Sequence, residues 1–283
     1  MSASQPTSIE DLKIIFKEIV DGYSCSEDGQ IFFKHFTDLD NVQIIHQRRI
    51  FLAKNIEEGI PSEASRLKEI IANEEWTLEK EDEILSLKMT IADNEKNLAS
   101  IIIEQQRNVR MMIEQNRKDL FALLVQRAAL MGTTAEELTH RDIKNYSLYK
   151  ACFRDPELSK SMFDSWEDFE SVDTPELDRI QEQYDKATEK FQERSIRTLS
   201  IIPFFLNTFS YAKDNITLFF GKPLIQLTTL QLFLCSCGQR NMSIISQAET
   251  SCPEIAGDIT VDDILTWFDQ QYSIILGKRN TPK

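Results

Sequence analysis

Gly221-Lys222-Pro223 is where the chain comes nearest to a phosphate-binding loop. A P-loop needs an earlier Gly and a Ser or Thr directly after the Lys, whereas Pro223 follows here and removes a backbone N–H donor. The segment therefore reads as a turn. Five cysteines could supply thiolates, but Cys235 and Cys237 are only two apart and miss the C-x₂₋₄-C spacing of a zinc knuckle, while Cys25, Cys152 and Cys252 are scattered. The histidines, His35, His46 and His140, fall on separate elements, and none follows His140, so a Cys nucleophile could meet a His base only across regions. Reduced, unligated thiols are expected. Acid pairs such as Asp262-Asp263 and Glu136-Glu137 stand at helix starts, where negative charge complements the helix dipole. Arg107, Arg110, Arg117 and Arg127 could form a basic stripe, yet Glu104, Glu114 and Asp119 interleave as partners three or four residues away, which describes a solvated, salt-bridged face. Asn215-Ile216-Thr217 and Asn241-Met242-Ser243 match the glycosylation pattern, which has no enzyme to read it without secretion. The sequence predicts no catalytic residue, no cofactor and no metal ligand.

Charge and composition narrow the remaining functions. With 46 acidic against 32 basic residues the formal charge is −14, a field that repels phosphate backbones and argues against nucleic acid as principal partner. The first residues, Met1 to Thr7, carry neither a basic nor an apolar region of a secretory signal, which predicts a cytosolic protein. The most apolar stretch, 216–237, is interrupted by Gly221-Lys222-Pro223 and falls short of the ~20 apolar residues of a spanning helix, so no membrane partner is expected. Only 8 Gly and 8 Pro in 283 residues disfavour a turn-dense β architecture and favour helix.

The elements follow from caps and periodicity. Ser8-Ile9-Glu10-Asp11 opens a helix that Gly22 ends, and Asp28-Gly29 between aromatic-bearing runs signals a hairpin over 23–36. A helix follows from the Asp38 cap to Glu58, then a shorter one over 62–73, and Thr77 caps the next. From Leu78 to Met131 there is neither Gly nor Pro, and one rod of that length would extend ~80 Å. Ile84, Leu87, Ile91, Leu98 and Ile101 recur at three and four steps as a narrow seam, the apolar pattern falters at 104–108, and Val109 and Met112 resume it. Either a rod or an antiparallel hairpin turning near 104–108 satisfies this pattern. These seven residues are the candidate partner-binding set, and the partners expected are other proteins or further copies of the chain.

Gly132 closes that element, and Thr133-Thr134-Ala135-Glu136 starts a helix that ends near Phe153. Asp155-Pro156 reads as a helix cap with Pro at the first helical position, and six further acids suggest a surface linker over 155–173. Thr174-Pro175-Glu176 launches a helix through Ile180, Tyr184, Ala187 and Phe191 toward Ile202. Phe204, Phe205, Phe209, Tyr211, Phe219, Phe220 and Phe233 then concentrate aromatic area, with one helix expected from Pro223 to Gly238 and a last one from Val261 to Leu276. The expected fold is all-α with a small N-terminal hairpin. It divides into an N-terminal helical scaffold at 1–154, a linker at 155–173 and a separable aromatic-rich helical domain at 174–283.

Phe32-Phe33-Lys34-His35-Phe36, Glu75-Trp76-Thr77-Leu78-Glu79 and Phe219-Phe220-Gly221-Lys222-Pro223-Leu224-Ile225-Gln226-Leu227-Thr228 give the chain a resemblance to structural and assembly proteins of large tailed bacteriophages. That resemblance implies a virion component or morphogenesis factor of head or tail, assembled in the host cytoplasm through contacts with phage structural proteins or itself. It carries no functional residues over. A cellular helical adaptor is the second reading, and an enzyme with a site assembled across regions the third.

Overall fold

The computed structural model describes residues 9–98, 103–212, 215–248, 250–253 and 260–280. The class is all-α with a small three-stranded antiparallel sheet. The Ser8 cap lies outside the described residues. Contacts divide the chain into two compact units, residues 1–45 with 145–283 and residues 46–144. The divisions fall inside two helices, α2 (Asp38–Glu57) and α6 (Ala135–Ala151), and not at the expected 154 and 173.

In the discontinuous unit, α1 (Ile9–Asp21) leads through Gly22 into β1 (Tyr23–Cys25) and β2 (Phe32–Lys34). Gly22 is at φ +86°, where glycine has no Cβ penalty. The hairpin gains a third strand from a distant segment, β3 (Cys152–Phe153), with Phe33 opposite Cys152. Around this sheet Ile31, Phe33, Leu148, Cys152, Phe163, Phe169, Ile180 and Ala187 form one buried cluster. The acidic stretch 155–173 is thus no exposed linker: Phe163 and Phe169 are buried, and Ser165 caps the short helix α7 (Trp166–Glu170) between acids that stay in water. Asp155 binds the backbone N–H groups of Ser159 and Lys160, making a turn in place of a helix cap.

The helix expected to run from Thr174 toward Ile202 is two helices, α8 (Thr174–Glu189) and α9 (Glu193–Ser200), followed by α10 (Pro203–Tyr211) and α11 (Ile216–Phe220). Pro223 begins only a 3₁₀ turn, Leu224–Gln226, and the next helix is α12 (Thr229–Gln247), which runs through Gly238. A Cβ at Gly238 would lie 2.8 Å from the Phe205 ring, so this glycine permits close helix packing inside a helix and does not end one. Thr228 and Gln231 form a reciprocal capping box at the start of α12. The last helix, α13 (Val261–Asn280), passes through Gly277 and extends beyond Leu276.

The aromatic core does not belong to the C-terminal segment alone. Leu12, Ile15 and Ile19 of α1 are buried with Ile196, Leu199, Phe205, Phe209, Leu234 and Cys235. Phe16 meets the edges of Phe205 and Phe219 at 6.3 and 6.4 Å. Phe204 and Tyr211, expected in the core, face solvent because their neighbours Phe205 and Phe209 take the inward positions of α10.

In the unit 46–144, α3 (Glu63–Ala72) precedes two long helices, α4 (Leu78–Asn97) and α5 (Ile103–Met131). Gly- and Pro-free sequence left rod and hairpin open, and the structure forms the antiparallel hairpin. Glu81 bonds Arg127 and Glu95 bonds Arg117, pairs that run in opposite directions along the two helices. The division falls after Asn97, while residues 104–108 lie within α5. Ile70, Trp76, Ile84 and Met131 form the buried cluster of this unit. Arg66 donates to the carbonyls of Leu130 and Met131, satisfying backbone groups at the C-terminal end of α5.

Candidate functional site

The chemistry-bearing residues singled out in the sequence do not converge. Cys235 and Cys237 are buried on α12, and burial pushes the Cys235 thiol up to about 12, as it does Cys152, which keeps them protonated and unreactive. Among the described residues no three His, Cys, Asp or Glu side chains are grouped to hold a metal ion. His46 and His140 are exposed, and Asn241 is buried with its amide donating to Ser200 Oγ at 2.9 Å. Asn215 caps α11. No described helix is long and apolar enough to cross a membrane.

One polar cluster has the composition of a reactive site and went unnoticed in the sequence. Ser24 Oγ lies 2.8 Å from His35 Nε2, and Glu18 pairs with Lys190 at 2.6 Å. Burial first, and the Lys190 charge second, push the His35 pKa down to about 4. Its ring meets the edge of Phe191 at 4.8 Å, and its Nδ1 is buried without a hydrogen-bond partner among the described residues. A serine–histidine pair at a working site needs a group that orients the second ring nitrogen and a path for substrate. Among the described residues Nδ1 has no orienting group and both residues are buried, so the geometry describes a core hydrogen bond between β1 and the residue that follows β2.

The expected partner-binding seam is distributed differently from its prediction. Ile84 and Ile91 are buried within the hairpin, Leu87, Leu98 and Val109 are partly buried, Met112 is exposed, and Ile101 lies outside the described residues. A narrow seam of this spacing is satisfied by the second half of its own segment, which leaves little of it for a partner. The surface that remains is carried by Leu78, Leu85 and Met89 of α4 and by Met111, Met112, Phe121 and Val125 of α5, each between 52% and 69% exposed.

Helix geometry places five of these, all but Met111 and Met112, on one side. Leu85 follows Ile84 by one residue, Phe121 follows Leu120 and Val125 follows Leu124, so each is turned ~100° from the seam in the same rotational sense. Leu78 and Met89 share the stripe of Leu85, being seven residues before it and four after it. Because α4 and α5 are antiparallel, the same sense of rotation brings both stripes to the same side of the pair. Leu123 and Leu130 are turned the opposite way and pack in the cluster that includes Ile70, Leu67 and Ile71 of α3. One side of the hairpin is therefore covered by α3 at the level of Leu123 and Leu130, with Met112 exposed beyond it, and the other presents apolar side chains to solvent.

Comparison of the chain with protein families, curated proteins and solved structures finds no match.

Proposed function

We propose that the chain is a structural or assembly protein that acts through protein–protein contacts and not by catalysis. The observation that carries this reading is the side of the α4–α5 hairpin that presents Leu78, Leu85, Met89, Phe121 and Val125 together. Scattered exposed apolar residues are ordinary, but a contiguous patch of large ones flanked by charge marks a contact surface. The resemblance to tailed-phage proteins makes virion assembly the proposed setting. A cellular adaptor would use the same surface, and genome neighbourhood together with mass spectrometry of purified particles separates the two.

The reading is tested by placing a photo-crosslinking amino acid at position 85 or 121 in producing cells, with position 68 on α3 as control. Lys68 is exposed but lies off the hairpin. Protein adducts at 85 and 121, without adducts at 68, are expected. Their absence from both hairpin positions refutes the reading.

A further inference from the structure

Resting on that reading, we infer that the partner seated on the open side of the hairpin is a second copy of the chain, with α4 of each copy lying over α5 of the other. The Glu81–Arg127 and Glu95–Arg117 pairs set Leu85 level with Val125, Met89 with Phe121, Asp93 with Lys118 and Lys96 with Glu114. At ~100° per residue Leu85, Met89 and Lys96 of α4 and Val125, Phe121 and Glu114 of α5 project toward the side that α3 leaves open, and Lys96 and Glu114 are exposed, while Asp93 points away from the seam.

When two such hairpins stack with their two-fold axis along the helices, each residue of α4 meets the residue level with it on the partner's α5. Apolar then meets apolar at two levels, and base meets acid where Lys96 lies over the partner copy's Glu114. The face is complementary to itself, as an isologous contact requires. Placing the axis across the helices would set α4 on α4 and bring the apolar end of one hairpin onto the charged end of the other. Net charge favours the first arrangement: α4 carries six carboxylates against three lysines, and α5 three carboxylates against five basic groups. The product is a four-helix bundle built from two hairpins, a common way to cover such faces. In a chain of formal charge −14, two copies otherwise repel, so a contact between copies belongs where both signs are interleaved.

Sedimentation velocity of the full chain is expected to show a species of twice the 32.8 kDa chain mass. K96E alone and E114K alone each place like charges at both symmetry-related positions and should weaken the dimer roughly tenfold or more. Mixing the two variants should restore it, because in the mixed dimer both pairs are again opposite in sign; no contact within one chain can produce that rescue. Phe121→Asp should give a monomer, with unchanged far-UV circular dichroism showing that the fold survives. A wild-type chain that stays monomeric, or a mixture that is no tighter than its components, overturns the inference. If the chain is monomeric while positions 85 and 121 still crosslink to a different protein, the second copy is wrong and the contact function stands. No adducts at all sink both.

Discussion

The unit built from 1–45 and 145–283 turns Phe16, Phe205, Phe209 and Phe219 toward one another and leaves Phe204 and Tyr211 exposed, whereas the unit 46–144 leaves a row of large apolar side chains in water along one side of its hairpin. The difference follows from the elements available. In the first unit short helices approach Phe205 and Phe209 from several directions, with Phe16 and Phe219 meeting them edge-on. In the second, a long two-helix hairpin has two broad sides, and α3 covers only one. A closed core concentrates stability; an open side concentrates recognition.

The largest effect should come from Phe205→Ala, which empties a fully buried site packed against Phe16, Phe209 and Gly238. A loss of ~3–5 kcal/mol in urea denaturation is expected. A loss below ~1 kcal/mol would mean that the aromatic cluster is not the stabilising centre of its unit.

Acid should weaken the same unit through His35. Its pKa is about 4 in the folded chain against 6.5 for an ordinary histidine, so the unfolded chain binds the extra proton between those values. The contribution is complete above pH 6.5 and is lost as pH falls toward 4, reaching about 3 kcal/mol. His35→Gln should flatten the difference in urea midpoint between pH 7 and pH 4.5. An unaltered difference would place the acid sensitivity elsewhere.

Gln231 joins the closed unit across 212 residues of sequence: its side chain accepts the Thr228 N–H and donates to the carbonyls of Ile19 and Val20. Gln231→Ala strands those groups and should cost ~1–3 kcal/mol, measured by chemical denaturation. Proteolysis should also cleave α1 sooner in this variant, which it would not do if α1 were held by its apolar contacts alone.

The smallest effect on stability should be that of Phe121→Ala, within ~0.5 kcal/mol of the parent, because the ring is exposed. The same change should reduce crosslinking at position 85. If it destabilised the chain as Phe205→Ala does, the hairpin would be closed and the contrast between the units would fail.

Much of the local structure was legible because its causes are local. Thr77 accepts the Lys80 N–H, as the cap in the sequence indicates, while the helix launched at Thr174-Pro175 takes its cap one residue earlier, where Asp173 accepts the Glu176 N–H. Asp28-Gly29 marked the hairpin turn for the same reason. Misreadings occurred where glycine and proline act through tertiary neighbours. Gly238 reads as a stop, but it lies within α12 where Phe205 comes too close for a side chain. The stretch 155–173 reads as a linker by its acids, yet Phe163 and Phe169 bury themselves in the cluster that holds β3. Ser24 and His35 gave no signal, since a residue pair eleven apart becomes a contact only through the strand register.

The sequence by itself determined the helical class, most helix starts and the seam on 78–131, because caps and periodicity depend on residues three or four apart. Only the tertiary structure decided that the seam closes on itself as a hairpin, that α1 completes the aromatic core, and that Leu78, Leu85, Met89, Phe121 and Val125 share an uncovered side. Those outcomes depend on which apolar faces find each other across the chain, and hydrophobic burial is non-directional: periodicity names the faces without naming their partners.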